Sequence, residues 1–143
     1  MSFDFEIQYS NEWKILGFYY NFNDIKNCWQ LLGSKNGLLN FCLLLKNYAS
    51  NPLHNEISEH EHYGPDSYFK VVTWSTPIIK KDGIYGSLKD IQKLEKILRN
   101  KLLSLNDNDE FIIDDQYSKQ NECYLLIKIM TKNFDPSTGK QQL

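Results

Sequence analysis

The spacing of apolar residues divides the chain into stretches of strand and helix character. Phe3, Phe5, Ile7 and Tyr9 alternate with polar residues, which is the period-two pattern of a half-buried strand. After a Ser-Asn-Glu turn, the aromatic-rich residues 13–22 predict a second strand.

Two helices are predicted in the next part of the chain. Asn23 is suited to capping a helix over residues 24–32, where apolar side chains recur on one face. A second, more apolar helix is predicted over residues 38–48, and Pro52 follows its end.

Residues 58–74, SEHEHYGPDSYFKVVTW, predict a hairpin. Residues 68–74 carry apolar groups on both faces, which indicates an interior strand. The Gly-Pro-Asp turn before them makes residues 56–63 the other arm. Two further strands are predicted at residues 110–114 and 122–131.

The clearest helix covers residues 87–105, where leucine and isoleucine recur three and four positions apart. Ser87 and Asp90 form a variant of the capping box at its start. The lysines on its outer face are typical of a solvated helix surface.

Together these elements predict an α+β fold, with an antiparallel sheet of about five or six strands and two or three helices packed mainly on one face. The 143 residues suit one domain, which we place at residues 1–134. The polar residues 135–143 are expected to form a flexible C-terminal tail.

Composition and charge restrict the function. A formal net charge of −2 gives no general reason to expect nucleic-acid binding. Cysteines 28, 42 and 123 form no Cys-x-x-Cys pair, so we expect buried, reduced thiols in a cytoplasmic protein. The first eight residues do not have the pattern of a signal peptide, and the apolar residues 38–45 are too short to cross a bilayer, so no membrane association is expected.

The HEH motif is the strongest candidate for a reactive site. On a strand, His60 and His62 point to the same face, and both could reach one zinc ion with help from Glu59 or Glu61. The remaining histidine, His54, lies just upstream, and the sequence has no GxSxG, HExxH or Gly-rich phosphate loop.

The other interpretation of the motif is a polar edge strand whose charges discourage aggregation. We therefore expect no metal, no cofactor and no enzymatic activity. A small metal- or histidine-dependent enzyme that uses His60 and His62 is the alternative.

Acidic residues form two groups, each with aromatic neighbours. The first group is Glu56, Glu59, Glu61 and Asp66, beside Tyr63 and Tyr68; the second is Asp107, Asp109, Glu110, Asp114 and Asp115, beside Phe111 and Tyr117. An acidic surface with exposed tyrosines suits docking to a basic protein, because charge steers the encounter and aromatic anchors add affinity. Solubilising loops are the alternative interpretation.

Partner binding is accordingly predicted for nine of these residues. They are Glu59, Glu61, Tyr63, Asp66, Asp107, Asp109, Glu110, Asp114 and Asp115.

Three stretches of the chain resemble small immunity proteins of bacterial polymorphic-toxin and contact-dependent growth inhibition systems. They are HEHYGPDSYFKVVTW, IYGSLKDIQKLEKIL, and YLLIKIM followed by NFDPS. The resemblance covers residues 59–137. It implies a cytoplasmic, non-enzymatic protein that occludes the active site of a cognate toxin domain, often a nuclease. Such families keep a scaffold and vary the docking surface, so no functional residue is carried over by position. The acidic groups suit a basic toxin; the toxin's identity and the oligomeric state stay open.

Overall fold

The computed structural model describes residues 3–65 and 68–143. Its three α-helices are α1 (Phe3–Leu16), α2 (Lys35–Ser50) and α3 (Leu88–Ser104). The eight strands are β1 (Phe18–Asn23), β2 (Cys28–Ser34), β3 (His60–Tyr63), β4 (Phe69–Thr73), β5 (Ile78–Lys80), β6 (Gly83–Gly86), β7 (Glu110–Ile113) and β8 (Tyr124–Met130). Two 3-10 helices, Pro52–Asn55 and Pro136–Gln142, complete the fold.

The predicted α+β class is confirmed, and the strands are divided between two mixed sheets. The first sheet has the order β1-β2-β8-β7 and the second the order β3-β4-β6-β5. The expectation of a single antiparallel sheet is corrected by the centre of each sheet, where β2 pairs with β8 and β4 with β6 in parallel. The predicted antiparallel hairpin is present as β3 with β4, and β1 pairs with β2 in a second antiparallel hairpin that the sequence did not predict.

The N-terminal strand prediction is wrong, because residues 3–9 form the first half of α1. Phe5 and Ile7 are exposed, so their alternation with polar residues does not mark a buried face. The helix is instead supported by aromatic residues four positions apart: the rings of Phe5 and Tyr9 lie 6.4 Å apart, and those of Tyr9 and Trp13 lie 6.1 Å apart. The strand predicted over 13–22 is correct only from Phe18 onward.

The helix predicted over residues 24–32 is also wrong. Asn23 Oδ1 accepts hydrogen bonds from the backbone N–H groups of Ile25 and Lys26, and this closes a turn between β1 and β2. Ile25 is 98% exposed, whereas nearly all of β2 is buried because it is a central strand. Its apolar run therefore belongs to a strand covered on both faces.

The remaining predicted elements are confirmed, with boundary shifts of a few residues. The helix over 38–48 is α2, and β3 and β4 form the predicted hairpin, with β4 in the sheet interior. The helix over 87–105 is α3, where Ser87 Oγ accepts from Asp90 N at 3.1 Å and Asp90 Oδ2 accepts from Ser87 N at 2.9 Å.

An aromatic cluster joins the two sheets and α2 in one core. The ring of Phe69 on β4 lies 4.8 Å from that of Trp29 on β2 and 5.8 Å from that of Phe41 on α2. Phe18 on β1 extends the cluster, with its ring 5.2 Å from that of Phe41. All four side chains are buried.

Residues 135–143, expected as a flexible tail, contain the second 3-10 helix. Pro136 and Gly139 are buried, and a Cβ added at Gly139 would lie 2.1 Å from Cγ of Tyr19 on β1. The backbone of this segment therefore lies directly on the side chain of Tyr19. Its flexibility in solution stays a prediction.

Candidate functional surface

Residues 52–61, which follow α2 and include the first two residues of β3, form an exposed segment that we call the docking segment. Two large apolar side chains of this segment, Leu53 and Ile57, are 78% and 56% exposed. Of the ten residues only His54 is buried. Sequence reasoning selected the glutamates of this segment and missed the two exposed apolar side chains between them.

The docking segment contains acidic residues but no lysine or arginine. Glu56, Glu59 and Glu61 are all exposed. The sequence contains no lysine or arginine between Lys46 and Lys70, so the segment itself carries neither residue type to offset these carboxylates. The segment therefore presents negative charge and apolar surface together.

His54 fastens the docking segment to the end of α2. Its imidazole stacks on the ring of Tyr48 with 4.1 Å between centroids and 17° between planes. Nδ1 lies 2.8 Å from Tyr48 O and donates to it, because a carbonyl oxygen only accepts. Nε2 lies 3.2 Å from Glu61 Oε1, which ties the start of the segment to its end.

Thr73 on β4 also holds the docking segment, through hydrogen bonds to its backbone. Its hydroxyl donates to His54 O, and its backbone N–H donates to Glu59 O at 2.8 Å. Ser58 N donates in turn to Thr73 O at 2.9 Å. The Tyr48 hydroxyl also donates to Glu59 O, at 2.8 Å, and burial raises the pKa of this phenol, which keeps it a neutral donor. The segment is thus held at its backbone and by the buried His54 ring, while its other side chains are exposed.

Two predicted partner-binding residues of the first group have internal partners. Glu61 contacts His54 and also accepts from the Tyr63 hydroxyl at 3.1 Å. Tyr63 is 7% exposed and belongs to the core, and burial together with the charge of Glu61 raises the pKa of its hydroxyl. Tyr63 is therefore not an exposed anchor; Tyr68, at 76% exposure, is the exposed tyrosine here. Asp66 lies outside the described residues.

The second acidic group is partly structural. Asp109 Oδ2 accepts from Asn106 N at 2.8 Å, and Asp114 Oδ1 accepts from Asn121 Nδ2 at 3.1 Å. Asp107, Glu110 and Asp115 are exposed. The aromatic neighbours expected as anchors, Phe111 and Tyr117, are both buried.

Asp107 of the second acidic group lies near the opposite end of α2 from the docking segment. Ser50 at the end of this helix leads into the docking segment, whereas Lys35 at its start donates from Nζ to Leu105 O, just before Asp107. Sixteen helical residues span about 24 Å. Asp107 is therefore well separated from the docking segment.

The paired histidines lie on β3, which is an edge strand of the second sheet, as the interpretation of a polar edge strand expected. The rings of His60 and His62 are neighbours, 5.1 Å apart and nearly perpendicular. His54 has both ring nitrogens at Tyr48 and Glu61 and does not join them. Within residues 3–65 and 68–143, no three His, Cys, Asp or Glu side chains are grouped to hold one metal ion.

The cysteines have the burial that the sequence predicts. Cys28, Cys42 and Cys123 are buried and form no disulfide. Burial, with a contribution from the charge of Glu95, raises the pKa of the Cys42 thiol to about 12, and burial beside Glu122 raises that of Cys123 to about 11. Both are held as unreactive thiols at neutral pH.

Comparison of the chain with protein-family models, curated proteins and solved structures gives no match. Among the described residues, none of the helices has the length and apolar character needed to cross a membrane. The functional proposal therefore depends on the surface of the docking segment.

Proposed function

We propose that this chain is an immunity protein, which binds a cognate bacterial toxin domain in the cytoplasm and occludes its active site without catalysing a reaction. The observation that carries the proposal is the docking segment, where exposed Leu53 and Ile57 lie among carboxylates on a fixed backbone. A segment that is already ordered loses little conformational entropy when it binds.

The chemistry of the surface suits a nuclease toxin. An enzyme that binds a phosphate backbone carries lysine and arginine around its active site. The carboxylates of Glu56 and Glu59 would meet that positive surface and speed association, while the apolar side chains supply contact area that excludes water. The exposed side chains of His60 and His62 on β3 continue the surface toward the area of about 800 Å² per partner that stable complexes bury.

Co-expression tests this function directly. If the chain is an immunity protein, the gene upstream of its own is expected to encode the toxin; the C-terminal domain of that gene product is produced together with the chain, and colony survival is counted. We expect survival and a complex that co-purifies; death of the cells with the chain present, or absence of a complex, would overturn the proposal.

A matched pair of variants connects survival to the docking segment. Leu53→Asp should abolish protection, because it places a charge where the partner covers an apolar side chain. Leu103→Asp changes a similarly exposed leucine on α3 and should still protect.

A further inference from the structure

A pocket of about 310 Å³ lies beside β1, the edge strand of the first sheet. Its lining includes five aromatic residues and an ion pair, namely Tyr19, Tyr20, Phe22, Trp29, Tyr68, Asp24 and Lys81. Neither the acidic groups nor the histidine pair of the sequence points to this place, because its residues come from four separate stretches of the chain.

The pocket already attracts a cation of its own chain. Lys81 Nζ lies 5.4 Å from the centroid of the Phe22 ring and 2.8 Å from Asp24 Oδ1. An ammonium group at this distance is attracted by the negative face of the ring. Asp24 and Lys81 are both well exposed, so this pair contributes little to stability and is easily exchanged for another.

The inner walls of the pocket are fixed. Trp29 donates from Nε1 to Lys80 O at 2.9 Å, and its ring lies 5.4 Å from that of Phe22 in an edge-on arrangement. The Tyr20 hydroxyl donates to Tyr63 O, which connects the pocket to the end of β3. Because β3 begins at the docking segment, one partner could cover both features.

We infer that this pocket receives an arginine side chain of the toxin domain, which displaces Lys81 from Phe22 and Asp24. The inference rests on the proposed function and names a second contact for the same partner. Arginine suits the site better than lysine, because its planar, weakly hydrated guanidinium can stack on an aromatic ring and pair with a carboxylate at the same time. Buried contacts of tyrosine, tryptophan and arginine are also those that dominate binding energy at protein interfaces.

Because arginine displaces Lys81, removal of a positive charge from the pocket should strengthen arginine binding. Lys81→Met removes the competing cation and keeps the length of the side chain, so it should tighten arginine binding several-fold. Asp24→Asn removes the carboxylate and should weaken binding several-fold. A pocket that merely holds any ligand by its apolar walls would respond to neither change in this way.

The test is an NMR titration of the full chain with N-acetyl-arginine amide, followed at the Trp29 indole N–H and the Tyr68 backbone N–H. N-acetyl-citrulline amide, which has nearly the same shape without the charge, is the matched probe. We expect saturable shifts with arginine alone, stronger binding in Lys81→Met and weaker binding in Asp24→Asn. Equal shifts with citrulline, no saturable shifts with arginine, or unchanged binding in Lys81→Met would overturn the inference.

The two proposals fail separately. The titration contains no toxin, so absence of arginine binding with intact protection in the co-expression test rejects the pocket alone. Arginine binding without protection rejects the toxin as the partner that supplies the arginine.

Discussion

His54 Nε2 lies 3.2 Å from Glu61 Oε1, so an imidazole at the start of the docking segment meets a carboxylate at its end. The same ring is stacked on Tyr48 and bonded to its backbone carbonyl. This one side chain therefore fixes an otherwise exposed connection to the buried end of α2.

His54→Ala should lower the free energy of unfolding by about 2 kcal/mol, because it removes a buried ring and leaves the Tyr48 carbonyl and Glu61 without its nitrogens. Urea unfolding followed by tryptophan fluorescence measures the change. His60→Ala is the matched control, since His60 is exposed, and should stay within about 0.5 kcal/mol of the wild type. Equal effects of the two substitutions would contradict the anchoring role of His54.

Ser87→Ala should lower the free energy of unfolding by about 1 kcal/mol, because the Ser87 side chain caps α3. The measurement is again urea unfolding. Ser75→Ala, at an exposed serine between β4 and β5, should have little effect. A Ser87 variant as stable as the Ser75 variant would show that the capping box does not stabilise this helix.

Gly139→Ala tests whether the C-terminal segment is docked. If residues 136–142 lie on Tyr19 as described, the new methyl group collides with that side chain and the thermal midpoint falls. Lys140→Ala, one position further and exposed, should leave the midpoint unchanged. An unchanged midpoint in both variants would instead support the flexible tail that the sequence predicts.

Acidification should weaken the contribution of Asp82. Burial alone would raise the pKa of this carboxyl, but hydrogen bonds from Tyr85 and Lys70 outweigh it and lower the pKa. A pKa that is lower in the folded state stabilises the protein fully above the unfolded value of about 3.9, and the stabilisation is lost as pH falls through the folded value.

The corresponding measurement compares thermal midpoints of wild type and Asp82→Asn between pH 7 and pH 2. The variant should be less stable at pH 7, and the difference should shrink steadily below about pH 4. Asp107→Asn, at an exposed position, should match the wild type at each pH. A difference that stays constant down to pH 2 would exclude ionisation of Asp82 as its cause.

The sequence predicted those elements whose buried positions follow from the spacing of their own apolar residues. The regular leucine positions and the Ser87 cap defined α3, and apolar groups on both faces defined β4. In α1, however, Trp13 and Leu16 are buried whereas Phe5 and Ile7 are exposed, so the alternation at the latter two has no counterpart in burial. The parallel pairing of β2 with β8 joins distant parts of the chain, which no local pattern encodes.

The same limit applies to the candidate surface. The glutamates of the docking segment can be selected from the sequence. Which of them contact other side chains of the protein cannot be predicted, because Glu61 meets His54 and Tyr63 only in the folded chain. Tyr63 itself becomes buried where the hydroxyl of Tyr20, from β1, reaches its carbonyl. Contacts that form only in the folded chain therefore decide which carboxylates are engaged by neighbouring side chains.

The central claim is that the docking segment steers a basic partner, and the association rate constant with the proposed toxin domain tests it most directly. Glu56→Lys combined with Glu59→Lys should lower this constant at least tenfold at low ionic strength, and less at 0.15 M salt, where the Debye length is about 8 Å. Glu110→Lys combined with Asp115→Lys applies the same change of charge to the second acidic group and should associate nearly as fast as the wild type. Equal rate constants for all three proteins, or a larger decrease in the second double variant, would contradict the account.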